Sequence, residues 1–368
     1  MTDALRGETH SLGPWTRKFE TAVAAHATRT FAVAISSSSS AMQTTLDALG
    51  VRAGDEVIVP TFDSPSTTAC VLRLGAIPVF IDCVARTLNS NVQEIASKIT
   101  PKTKVIVATH TFGNPSGIEA IASVAMHNEI PLLEDAGQAL GSTVHNRPAG
   151  SFGRVALFSF RATTQLTSLE GGVIVTDDDH LAILCQSMRN HGLTNDPIYS
   201  VDELHQVRAD ERKMTLGYGF RMSEVHAAVG ATQMKRIEEI MQQRSTVAGW
   251  YTRRLGGLGD VMCPTIDPEI NMSWDGYVIR LSDRFNQEDR DHIIRDLHRH
   301  EIGAADFFRP VHTLPQVLKA TNQPSHCPVA ESISSRTLAL PFFTSMTKRE
   351  VDVVCQTLEL VMNRSTLA

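Results

Sequence analysis

The chain has 368 residues, 42% of them hydrophobic and 20% charged. At roughly 150 residues per domain that is material for two domains with a large core, which excludes a disordered chain or a small cross-linked scaffold. Its 34 Lys and Arg against 40 Asp and Glu leave a net charge of −6 with no basic run, which speaks against a nucleic-acid surface and leaves room for an anionic small molecule.

The six cysteines (Cys70, Cys83, Cys185, Cys263, Cys327, Cys355) form no C-x-x-C pair. Their spacing suits neither zinc nor an iron–sulfur cluster, so no metal is expected and they read as buried thiols of a reducing cytoplasm. The opening MTDALRGETHSLGP has no charged start followed by an apolar core. Nor is there an apolar run of ~18 residues, so neither a leader nor a membrane span is expected and the protein reads as cytoplasmic.

From residue 31 onward, short β-branched runs alternate with helical patterns. The strand candidates are FAVAI (31–35), DEVIVP (55–60), IPVFID (77–82), KVIVATH (104–110), PLLED (131–135), RVALFSF (154–160) and GGVIVTD (171–177). Between them Ala41–Leu49, Val92–Ile99 and Ile118–His127 carry apolar residues at helical spacing. This is the layout of a doubly wound α/β domain with a mainly parallel seven-stranded sheet. Ser36–Ser40 lies between a strand and a helix start, where serines cap the helix and offer hydroxyls and N–H groups to an anion.

Ser223–Leu255 reads as one long amphipathic connecting helix. Beyond it GYVIRL (276–281), a helix over Gln287–His300, a strand near Gly303–Phe308 and helices near Val329–Thr337 and Lys348–Met362 predict a smaller α+β unit. The expected division is an N-terminal segment over residues 1–19, a large α/β domain over 20–245 and a small α+β domain over 246–368. His292, His298 and His300 lack the spacing of a zinc motif and read as surface residues. Asp177–Asp179 reads as a turn and helix cap.

Ten segments in order, among them GDEVIVPTF (54–62), THTFGNPSGIEAI (109–121), LLEDAGQALGS (132–142), LEGGVIVTDD (169–178), RNHG (189–192) and LGYGFRMSEVHAA (216–228), resemble the sugar aminotransferase family often called DegT/DnrJ/EryC1/StrS. The likeness runs from about residue 11 to ALPFF (339–343). It implies the type I pyridoxal-phosphate aminotransferase fold, a homodimer with active sites at its interface, and keto sugars or cyclitols as substrates.

The resemblance assigns roles only where residues match. Asp135 stands where the family's aspartate pairs with the pyridine nitrogen, Gln138 near the ring's 3-hydroxyl, and Ser159 at the phosphate. Read without the family, Asp135 is either a ligand group at a strand end or a solvated carboxylate.

The departures are concentrated around the same ligand. The family's S-F-H-x-T-K reads Ser159-Phe160-Arg161-Ala162-Thr163-Thr164 here, so the Schiff-base lysine becomes Thr164. A threonine hydroxyl forms no imine with an aldehyde and shuttles no proton as an amine would. No lysine lies between Lys104 and Lys213. Ser64 replaces the ring-stacking aromatic, Ser38 and Ser39 replace Gly-Thr at the phosphate, and Gly219 replaces the partner subunit's asparagine. Lys213 lies just upstream of the family's interface loop.

Arg161 reads either as an ion-pair partner for Asp63, Asp135 or Glu170 or as a fork for an anionic ligand. Glu170 and His191 match positions near the family's pocket and read as an acid or base, with a structural hydrogen bond the other reading of His191. Three functions follow as expectations. The first is a repurposed enzyme, without a Schiff base and with either no cofactor or a noncovalently held pyridoxal or pyridoxamine phosphate, acting on a sugar-like, cyclitol-like or other natural-product intermediate. The second is a dehydratase using noncovalently held pyridoxamine phosphate on a nucleotide keto sugar. The third is an inactive scaffold or regulator of an active paralogue.

Overall fold

The computed structural model describes residues 2–193, 216–321 and 325–365. Its centre is a sheet of β1 (Phe31–Ile35), β2 (Glu56–Pro60), β3 (Ile77–Ile81), β4 (Thr103–Thr109), β5 (Leu132–Asp135), β8 (Val155–Ser159) and β9 (Gly172–Thr176). The spatial order is β1-β9-β8-β5-β4-β2-β3. Only β9 opposes the common direction, pairing antiparallel with both β8 and β1. All seven strands expected from the sequence are present in it.

Alternation along each strand explains how the sheet is buried on both faces. In β8, Val155 and Leu157 join one core cluster while Ala156 and Phe158 join another. In β4, Val105 and Val107 lie on the first face and Ile106 and Ala108 on the opposite one. The first face is covered by α3 (Ser38–Ala48) and α4 (Pro65–Arg73), through Ala41, Met42, Leu46, Cys70 and Val71. The opposite face packs on α2 (Pro14–His26), which follows the short α1 (Thr2–Arg6), and on α5 (Val92–Ser97) and α6 (Ile118–His127). A small antiparallel sheet of β6 (Thr143–Val144), β7 (Arg147–Pro148) and β11 (Ile270–Asn271) lies beside them.

Buried carboxylates hold this frame at two points. Glu224 accepts the backbone N–H groups of Gly13, Trp15 and Thr16 at 2.9, 2.8 and 2.9 Å, satisfying donors that the first turn of α2 leaves unpaired. Glu134, fully buried in β5, accepts from His110 Nε2 and from the N–H groups of Gly150, Phe152 and Gly153. Burial alone would raise its pKa, but those donors outweigh it and hold the carboxyl below its ordinary range.

After α7 (Asp179–Met188), capped by Asp178, the expected connecting helix is two helices, α8 (Glu224–Met234) and α9 (Ile237–Leu255). Neither Gly nor Pro marks the break at Lys235–Arg236. Each half buries its apolar face against a different surface. Ala227 and Ala231 of α8 pack with Phe19 of α2, whereas Val247, Tyr251 and Leu255 of α9 meet the C-terminal elements.

Those elements are β10 (Val261–Met262), β12 (Tyr277–Leu281), α10 (Gln287–Arg299), α11 (Pro315–Thr321), α12 (Pro328–Ser334), β13 (Thr337–Leu340) and α13 (Lys348–Ser365). The three-stranded sheet here has the order β10-β12-β13. The strand expected near Gly303–Phe308 is only an isolated bridge between Ala305 and Ala339, and the partner of β12 is Thr337–Leu340. His292, His298 and His300 are exposed, as expected.

Candidate functional site

Six strands share one direction and end at one edge of the sheet, the edge at which ligands bind in open α/β folds. There Ser38, Ser39 and Met42 of α3, Asp63, Ser64 and Ser66 before and in α4, Thr109, Asp135, Gly137, Gln138, Leu157, Ser159 and Arg161 line one narrow cleft. Thus seven of the residues singled out from the sequence meet in it.

The α3 end of the cleft is built for close approach. Ser37 caps the helix, its side chain accepting the Ser40 N–H at 3.1 Å. The Ser39 and Ser66 hydroxyls share a 2.7 Å hydrogen bond that ties α3 to α4. A Cβ on Gly172 would lie 2.6 Å from the Ser37 carbonyl oxygen, so the second glycine of LEGG is what lets β9 pass beneath the helix start.

At the other end, Asp135 Oδ1 accepts the Gly137 N–H at 3.0 Å, and Gln138 Oε1 accepts the Phe112 N–H at 2.7 Å. Asp63 accepts from its neighbour's N–H, Ser64, at 2.6 Å and from Thr109 Oγ1 at 3.0 Å. Thr109 and Asp135 are register partners across β4 and β5. Two carboxyls therefore share one wall, Asp63 buried and Asp135 half-buried. Burial, then the charge of Asp135, pushes Asp63 up to about 7. Burial also raises Asp135, against the opposing pull of Gly137, His110 and Arg161.

Ser159 is 7% exposed and its hydroxyl has no hydrogen-bond partner. The buried Nε of Arg161 likewise has none. Arg161 forms no ion pair within 4.0 Å with Asp63, Asp135 or Glu170 among the described residues, so of its two readings the paired one is not the arrangement found. Its charge acts at longer range on Asp135 and, after that of Arg244, on Asp275, which burial pushes up to about 6.

Thr164 is buried, and its hydroxyl lies 2.8 Å from the Arg161 carbonyl oxygen and 3.0 Å from that of Leu166. It faces the backbone of its own turn and does not line the cleft. Glu170 and His191 are exposed and also stand outside the lining. Gly219 lies against His191: a Cβ there would be 3.0 Å from the His191 Cε1. Lys213 falls outside the described residues.

A phosphate-bearing pyridine would find partners for its anion and its ring nitrogen in this cleft. The free Ser159 hydroxyl and the start of α3 suit the anion, and Asp135 suits a ring N–H. The centre does not fit a covalently held cofactor, because no lysine is among the lining residues and no aromatic plate stands at Ser64. Asp63 entered the sequence reading only as a partner for Arg161, and Thr109, Ser66 and Asp275 did not enter as site residues. The one signal for Asp63 and Thr109 is that both fall at the ends of parallel strands.

Residues 1–359 match the model of the DegT/DnrJ/EryC1/StrS aminotransferase family, and the chain belongs to that family. It is 30% identical to GDP-perosamine synthase of Caulobacter vibrioides over 96% of this chain and 91% of that one. It is 31% identical to the spore coat polysaccharide biosynthesis protein SpsC of Bacillus subtilis over 97% and 92%. Among solved structures, DesV of S. venezuelae with a ketimine intermediate superposes with a TM-score of 0.86 at 27% identity, covering 99% of this chain and 93% of that one. The fold is thus that of the pyridoxal-phosphate-dependent aminotransferases. Among the described residues no helix is long and apolar enough to cross a membrane, and among the same residues no group of three or more His, Cys, Asp or Glu is placed to hold a metal.

Proposed function

We propose that the chain is a biosynthetic enzyme for a sugar-like or cyclitol-like small molecule and that it works without a lysine Schiff base. The relatives named for GDP-perosamine and spore coat polysaccharide synthesis support the sugar-related class. The observation that carries the lysine-independent part is the cleft itself. It keeps Asp135, Gln138 and Ser159 in a built polar site, while Thr164 spends its hydroxyl on backbone carbonyls.

In this reading Arg161 and the start of α3 grip an anionic group of the substrate, and Asp135 and Asp63 hold and move a proton at its reacting end. Glu170 and His191, outside the lining, are the remaining candidate acids or bases, and Gly219 would face a second copy's cleft. A second reading rests on the unpartnered Ser159 hydroxyl beside α3, which suits the phosphate of noncovalently held pyridoxamine phosphate. A scaffold for an active paralogue is the third, and nothing in the cleft favours it.

Asp135→Asn in the native host distinguishes these. It removes a charge that burial disfavours while nearly keeping shape, so the melting temperature should hold or rise while the pathway product is lost. Undiminished product would refute a role for this cleft. Loss of product only when association with a paralogue is broken would favour the scaffold.

A further inference from the structure

We infer that the cleft binds a primary ammonium group, held by the carboxylates of Asp63 and Asp135 and the hydroxyl of Ser159. The inference rests on the lysine-independent reading above and names its substrate class: an amino sugar or aminocyclitol that also carries an anion.

An ammonium group offers three N–H donors and no acceptor, and three acceptors converge here. Asp63 is fixed by Ser64 and by Thr109, whose register partner across the sheet is Asp135. The bare Cα of Gly137 brings the rest together, since a Cβ there would lie 2.9 Å from Asp135 Oδ1 and 3.3 Å from Ser159 Cβ. Asp135 uses Oδ1 on Gly137 and makes no hydrogen bond through Oδ2 among the described residues. The Ser159 hydroxyl, more than nine-tenths buried, has no partner at all.

The charges are also unbalanced. A buried carboxyl, Asp63, beside a half-buried one, Asp135, is costly unless a cation joins them. The groups that face the pair are Arg161, which pairs with neither, His110, whose Nε2 is engaged by Glu134, and the Cys70 thiol, which burial pushes up to about 11 and keeps neutral. Without a ligand the pair meets this cost by keeping a proton, as the raised Asp63 value shows. An ammonium ligand would displace that proton. Arg161, Ser38 and Ser39 line the same cleft and supply the complementary end for an anion.

Calorimetric titration of the full chain with glucosamine 6-phosphate and glucosamine 1-phosphate, each against its glucose counterpart, tests this at two amine-to-anion spacings. At least one amine should bind about ten- to a hundredfold tighter than its hydroxyl counterpart, the scale of charge-assisted hydrogen bonds. Binding should release a proton near pH 7, and below about 7 affinity should fall about tenfold per pH unit as Asp63 protonates. Asp63→Asn keeps an acceptor for the Ser64 N–H and turns an amide N–H to the Thr109 hydroxyl, which can accept it, so it should fold; it should abolish both the amine preference and the pH dependence. Ser159→Ala, a second variant, should reduce the preference without removing the pH dependence. Equal affinity for amine and hydroxyl sugars, or binding of neither, overturns the ammonium site. Equal affinity leaves the lysine-independent reading standing; that reading fails separately if pyridoxal phosphate forms a lysine adduct.

Discussion

Asp63 shows how one residue sets a measurable property of the molecule. Its folded pKa of about 7 stands above the ordinary carboxyl value of 3.8, so between these two pH values the native state holds a proton that the unfolded chain has released. Stability from this group is therefore fully present below about pH 4 and is lost as pH rises to about 7, by an amount on the order of a few kcal/mol. Asp63→Asn should remove that slope and leave the protein more stable than the parent at pH 7 and above. Urea unfolding at pH 5 and pH 8 checks it; a parent whose stability rises over that interval relative to the variant would contradict the assignment. The significance of Asp63 was not legible in the sequence. A carboxyl after a strand is ordinary, and only the strand order, with β4 between β2 and β5, sets it beside Asp135.

At the scale of elements, close approach matters more than propensity. Gly172 carries β9 under the first turn of α3, and Gly172→Ala should press a methyl into the Ser37 carbonyl. Overpacking of this kind costs ~1–3 kcal/mol, read as a lower midpoint in thermal unfolding; an unchanged midpoint would show that the α3 start yields freely. The seven central strands were legible because buried parallel strands are short β-branched runs bounded by turns. Thr337–Leu340 was not, since TLAL carries no alternation and follows directly on α12, and its pairing with Tyr277–Leu281 is a long-range event. The break between α8 and α9 was equally hidden, because no glycine or proline marks a helix that ends where its packing partner changes. Of the site, Asp135, Ser159 and Arg161 could be placed from strand ends and family motifs. The backbone-facing turn of Thr164 depends on the loop geometry of 161–166 and had no sequence signal.

For the whole molecule, residues outside the cleft of one chain become informative. His191 and Gly219 touch each other, and Leu216, at the start of LGYGFRM, is 94% exposed. A second copy related by twofold symmetry would cover that loop and bring it to a neighbouring cleft, the commonest closed arrangement of identical chains. Sedimentation should show a dimer at micromolar concentration; a stable monomer would leave both the loop and the shared cleft without support.

The central claim, that this family member works without a lysine Schiff base, is tested most directly by adding pyridoxal phosphate to the purified full-length chain, removing the excess by gel filtration, reducing with borohydride and mapping adducts by mass. We expect no visible-range imine band to survive filtration and no stoichiometric lysine adduct. A persistent band reduced onto one lysine, with Lys213 the first to inspect, would contradict it.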